Sequence, residues 1–133
     1  MFDDPSRDEW QKPDEVLKTL ELTPAMTVAD LGAGTGYFSV RLARAVPQGQ
    51  VIAVDIEPDM VRFLGERAQR EQLPNLRAQA STATSSGLAA SSVDRVLVVD
   101  VWHHLEQRTA YARHLGIALR PEGKIFIVDL TLE

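Results

Sequence analysis

Short apolar runs alternate along this chain with stretches in which apolar residues return every third or fourth position. The runs cover residues 27–31, 51–55, 76–80, 94–100 and 124–129. Most are nearly continuous in Val, Ile, Leu and Ala, which leaves neither face of an extended chain polar, as in strands covered on both sides. Residues 76–80, with Arg77 and Gln79, make the weakest of them. The intervening stretches have helical spacing. Val16, Leu17 and Leu20 follow Pro13-Asp-Glu, a first turn with proline near its start and acids at the positive end of the dipole. Phe38, Leu42 and Val46 mark a second helix, which Pro47-Gln-Gly-Gln ends. Met60, Phe63, Leu64 and Ala68 share a face over residues 58–72. Tyr111, Leu115 and Ala118 share another over 109–119, which Arg120-Pro-Glu-Gly123 stops. Strands alternating with helices predict an α/β domain over residues 1–133, built on a parallel five-stranded sheet in the order 3-2-1-4-5.

The first strand runs into Asp30-Leu-Gly-Ala-Gly-Thr-Gly36, and the second helix begins directly after it. Glycines at 32, 34 and 36 allow a tight strand-to-helix turn and let bare backbone approach a ligand. The helix that follows offers free N–H groups and a positive dipole end to a carboxylate or phosphate. A dinucleotide site expects G-x-G-x-x-G, whereas the spacing here is G-x-G-x-G with an acid two positions before the first glycine. A carboxylate at Asp30 repels a nearby pyrophosphate by about 1 kcal/mol or more even in high dielectric. The same carboxylate attracts an ammonium or sulfonium. S-adenosylmethionine has both cations, one carboxylate and no phosphate, so it suits this turn better than a nicotinamide dinucleotide does. A glycine-rich turn that binds nothing is the alternative. Asp55 ends the second strand 19 residues beyond Gly36. An acid there accepts hydrogen bonds from ribose hydroxyls, or else caps the helix that starts near Pro58.

Asp30-Leu-Gly-Ala-Gly-Thr-Gly36 resembles the first motif of class I S-adenosylmethionine-dependent methyltransferases, and the resemblance extends from about Trp10 to the C-terminus. It implies a three-layer αβα Rossmann-like fold with the cofactor over the C-terminal ends of strands 1 and 2. Asp30, Gly32, Gly34, Gly36 and Asp55 then contact the cofactor, Ile56 flanks the adenine, and Asp100 and Val101 lie near the sulfonium. Trp10 and Gln11 stand where relatives close over the cofactor, though Trp10 also suits a packing anchor. Relatives carry an acid after the third strand to accept the adenine amino group; Thr84 and Ser85 occupy those positions here. A hydroxyl accepts without charge assistance, a difference of about 1 kcal/mol and several-fold in affinity. His103 and His104 follow the fourth strand beside the place of the transferring methyl. One of them accepts a proton from the attacking group, or both are scaffold. The implied reaction is methyl transfer to a small-molecule acceptor, with a cofactor-binding remnant lacking turnover as the other reading and a nicotinamide-dependent dehydrogenase as a third.

Relatives also add two strands after the fifth, as an antiparallel hairpin at that edge. This sequence ends four residues after the fifth strand, so a C-terminal truncation relative to the family is expected. A bare β-branched edge invites pairing, and a homodimer through the fifth strands is expected with it.

Composition narrows the picture little. Apolar content of 44% and charged content of 25% are ordinary for a soluble domain. A net charge of −5 argues against a sequence-independent nucleic-acid footprint. No run is long enough to span a membrane and the start is no signal peptide, so a cytoplasmic location is expected. The absence of cysteine rules out disulfides, thiolate zinc sites and thiol nucleophiles within this chain. No metal site is expected either: His103 and His104 diverge on a short turn, and Glu106 is the one acid near them with ligand spacing.

Overall fold

The computed structural model describes residues 13–33, 36–81, 87–99 and 108–128. In chain order these form α1 (Pro13–Leu20), β1 (Thr27–Leu31), α2 (Tyr37–Ala45), β2 (Gln50–Asp55), α3 (Pro58–Arg70), β3 (Leu76–Ala80), β4 (Val93–Val99), α4 (Arg108–Ala118) and β5 (Leu119–Val128). The five strands make one sheet in the order β3-β2-β1-β4-β5, and every neighbouring pair is parallel. This is the expected architecture and the expected order.

The continuous apolar runs are explained by a core on each side of the sheet. Val28, Val51, Ala53 and Leu97 point to one side, where Leu20, Phe38, Leu42 and Leu64 of α1, α2 and α3 cover them. Ala29, Leu31, Ile52, Val54, Val96 and Val98 point to the other, against Leu115 and Ala118 of α4. Adjacent residues on a strand face opposite ways, so a strand buried on both faces has to be apolar at every position.

Several polar contacts that tie elements together lie at the N-terminal ends of the strands. Asp94 Oδ2 accepts the Thr27 backbone N–H at 2.9 Å and pairs with Arg120 at 3.0 Å, joining the starts of β1, β4 and β5. Arg95, itself buried, donates to the Leu20 carbonyl at the end of α1 at 2.7 Å. The Asn75 side-chain amide donates to the Ala43 and Val46 carbonyls, each at 2.9 Å, and so closes the C-terminal end of α2.

Two boundaries differ from the sequence expectation by more than one residue. Residues 120–123 do separate α4 from the body of β5, but Leu119 already pairs with Val93, and the next paired residue is Lys124, opposite Arg95. The intervening residues bulge outward, with Glu122 at φ +69°. Pro121 has no N–H to give to a ladder, which makes this the place for the interruption. The third helix stops at Arg70 rather than at 72, because Gln72 turns to φ +55°.

Just beyond α3, Glu71 receives Arg67 Nε at 2.6 Å and Arg44 Nη2 at 2.9 Å, linking α3 to α2. The Arg67 hydrogen bond, aided by the charges of both arginines and opposed by burial, holds the Glu71 carboxyl below its ordinary range. A depressed folded-state value means that this contribution is complete above the unfolded value, roughly pH 4.3, and is lost as the pH falls through the folded one. Stability should therefore fall more steeply on acidification below roughly pH 4.3 in the wild type than in Glu71→Gln. Parallel denaturant-midpoint curves for the two proteins between neutral and acid pH would show that this carboxylate contributes nothing.

Candidate functional site

The C-terminal ends of β1 and β2 lie side by side at the centre of the sheet, with Asp30 opposite Ala53 and Leu31 opposite Val54. The chain leaves β1 toward β2 on one side and reaches β4 on the other, so the strand order reverses beside β1. Ligands of open parallel sheets bind in the crevice at such a reversal.

Over that end the chain turns sharply. Gly32 at φ +68° and Gly36 at φ +95° take conformations that other residues adopt only with strain. The Gly32 and Ala33 N–H groups both donate to the Val54 carbonyl, at 2.8 and 3.1 Å, which folds the turn back across the end of β2. Gly36 N–H then donates to the Ala33 carbonyl at 3.0 Å, and Val40 N–H to the Gly36 carbonyl, also at 3.0 Å, to start α2. Gly36 is the N-cap of that helix; no side chain caps it and its first turn holds no acid. The positive end of α2 favours an anion such as a carboxylate. Space at Gly36 is also tight: an added methyl carbon would sit 3.0 Å from Leu64 Cδ2, which would have to give by a few tenths of an ångström, and 3.6 Å from Arg67 Cδ.

Two carboxylates border this turn. Asp30 is 2% exposed, and Ser39 of α2 donates its hydroxyl to Asp30 Oδ2 at 2.7 Å. Asp55 is 8% exposed; its Oδ1 accepts the Glu57 N–H at 2.9 Å, and its backbone carbonyl accepts the Ser81 N–H at the end of β3. Glu57 is the N-cap of α3, so this bond of the Asp55 carboxylate braces the turn just before that helix. Beside it Ile56 is 52% exposed, a large apolar side chain facing solvent at the rim of the crevice.

The structure thus brings together Asp30, Gly32, Gly36, Asp55 and Ile56. The other positions singled out from the sequence, Gly34, Thr84, Ser85, Asp100, Val101, His103 and His104, with Trp10 and Gln11, lie outside the described residues. Ser39 was not foreseen. Its signal is faint: a serine on the row of α2 that also carries Ala43 and Val46, both buried. Among the described residues no cluster of three or more potential metal ligands occurs, and no helix is long and apolar enough to cross a membrane. Two clefts lie away from the crevice. One of ≈ 740 Å³ runs between α3 and β3, lined by Ala68, Leu73 and Leu76, and one of ≈ 540 Å³ adjoins Thr27, Gln50 and Asn75.

Residues 28–123 match the family model of a methyltransferase domain. The chain is 38% identical over 117 residues to an uncharacterised methyltransferase of Mycobacterium tuberculosis, covering 87% of this chain and 44% of the relative. It is 30% identical over 104 residues to the erythromycin 3''-O-methyltransferase of Saccharopolyspora erythraea, covering 77% and 34% of the two chains. It superposes on a SAM-dependent methyltransferase from Aquifex aeolicus with a TM-score of 0.90 at 30% identity, over 96% of this chain and 69% of the other. The chain spans less than half the length of the curated relatives it matches.

Proposed function

The chain belongs to the class I S-adenosylmethionine-dependent methyltransferase family, and from that membership we propose that it binds S-adenosylmethionine at the crevice and directs methyl transfer to a small-molecule acceptor. The observation that carries this reading is the pairing of a helix start whose N-cap is a glycine with two flanking buried carboxylates, Asp30 and Asp55, on adjacent strand ends. One anion-seeking element and two cation- or hydroxyl-seeking ones match an amino acid joined to a nucleoside. They do not match a pyrophosphate, which Asp30 would repel.

In this arrangement the start of α2 takes the methionine carboxylate and Asp30 the ammonium. Asp55 accepts the ribose hydroxyls while its Oδ1 stays braced by Glu57, and Ile56 lies against the adenine. Gly34 contacts the cofactor as well, Thr84 and Ser85 accept the adenine amino group, and Asp100 and Val101 border the sulfonium. S-adenosylmethionine bound there supplies an electrophilic methyl group, which a nucleophile takes in line with departure of the thioether. The chain's own contribution is alignment of that line and exclusion of water. His103 or His104 accepts the proton that an oxygen, nitrogen or carbon nucleophile releases.

Among the described residues β5 forms an edge of the sheet, with Ile127 45% exposed, and a second copy pairing along it is the partner we assign. A monomer in sedimentation equilibrium at high concentration would overturn that assignment.

Calorimetric titration tests the site. Micromolar binding of S-adenosylmethionine and S-adenosylhomocysteine, with none of NAD, is the expected result. Binding of NAD in competition with S-adenosylhomocysteine, or binding of none of the three, would overturn the reading.

A further inference from the structure

Ser39 is wholly buried in α2, a helix whose Tyr37, Phe38, Val40, Leu42 and Ala43 are buried as well. Four described side chains that are polar or charged are buried: Asp30, Ser39, Asp55 and Arg95. Arg95 has a structural task, closing the end of α1, and Asp55 braces the turn before α3. Ser39 and Asp30 bond to each other, nine residues apart in sequence, the hydroxyl donating to Oδ2 at 2.7 Å.

A carboxylate and a hydroxyl placed inside an otherwise apolar layer stabilise a fold poorly, because both must give up water to meet. An apolar pair of similar volume would serve packing as well or better. What the bond does accomplish is directional. A charge-assisted O–H···O⁻ bond of this length anchors Oδ2 and so restricts the directions in which Oδ1 can face. Ser39 lies in the first turn of α2, just after the glycine turn, so the same helix whose start faces the crevice also orients the acid at its side.

We propose that Ser39 is a positioning residue for ligand recognition, holding the Asp30 carboxylate oriented toward the ammonium of the bound amino acid portion. This rests on the cofactor reading given above. Ser39 touches no ligand; it acts through Asp30.

The test compares two probes, S-adenosylhomocysteine and 5′-methylthioadenosine, which keeps the adenosine and thioether but has no amino acid. Ser39→Ala should weaken the first by roughly fivefold to tenfold and the second by less than about twofold, in keeping with a weakened charge-assisted bond to the ammonium. Asp30→Asn retains an acceptor for the hydroxyl but not the charge, so adding Ser39→Ala to it should change S-adenosylhomocysteine affinity by no more than about twofold. Each variant's thermal midpoint is measured alongside. Equal weakening of both probes, or an undiminished Ser39→Ala effect in the Asp30→Asn background, would reduce Ser39 to a packing residue and overturn the proposal. A wild type that binds neither probe would instead overturn the cofactor reading, and this inference with it.

Discussion

Gly36→Ala is expected to lower stability by about 2–4 kcal/mol and to abolish cofactor binding together. Two costs meet at this position. The backbone sits at φ +95°, ψ 22°, where an L side chain is strained by about 1–2 kcal/mol. The new methyl would also press on Leu64 Cδ2 at 3.0 Å, and Leu64, 1% exposed, is held by the core around it. Displacing such a residue costs about 1 kcal/mol or more. In a domain of this size the thermal midpoint should drop by roughly 10 °C. Relief of the strain must rotate the turn, and with it the start of α2, so the S-adenosylhomocysteine titration should flatten in the surviving folded protein. Gly65→Ala on α3 is the matched control. Its methyl meets nothing within 4 Å, and removing a helical glycine should raise stability by about 0.5–1 kcal/mol. A Gly36→Ala protein with unchanged midpoint and affinity would mean that the turn tolerates a side chain and that the geometry given for it is wrong.

Asp55→Ala should cost about 100-fold in S-adenosylhomocysteine affinity, the loss of two hydrogen bonds from ribose hydroxyls to a charged acceptor. Its effect on the fold should be smaller, about 1 kcal/mol, since the Glu57 N–H would then turn to water for the acceptor it has in the Asp55 carboxylate. Asp55→Asn separates the two tasks. The amide oxygen can still accept from Glu57, so stability should hold while affinity falls by roughly tenfold. A 2′,3′-dideoxy analogue of S-adenosylhomocysteine is the decisive ligand: it has no ribose hydroxyls to donate, so Asp55→Ala should leave its affinity nearly unchanged. Equal weakening of both ligands would assign Asp55 to the turn alone.

What could be read from residue order follows from how local its cause is. Val51 to Val54 announce a strand because each is buried by the layer it faces, and that demand is written at every position. The reversal at Gly32 and Gly36 is equally local, as few residues other than glycine accept those angles. Alternation and the handedness of crossovers gave a parallel doubly wound sheet but left more than one order open; the order 3-2-1-4-5 came from the resemblance carried by the glycine turn. The placement of Asp30, Asp55 and Ile56 at one rim then came directly from register. Contacts made across long separations were not legible. Asn75 closes α2 from 32 and 29 positions away, and Asp94 reaches Thr27 across 67. The early pairing of Leu119 was hidden for a related reason: a proline announces an interruption but not which residues resume the ladder on either side of it. Ser39 escaped notice because a serine in an amphipathic helix reads as surface, and its burial depends on how closely Gly36 lets α2 approach the sheet and α3.

The contacts of Asp94, Arg95 and Asn75 hold the domain at the opposite end of the strands from the glycine turn. A division of that kind separates endurance from novelty. Loops beyond the C-terminal strand ends can lengthen, shorten or exchange residues without touching the fastenings that keep the sheet closed, and distant changes of this sort add nearly independently. Outside the glycine turn itself, that end of the scaffold can thus be refitted while its tolerance of heat stays almost constant.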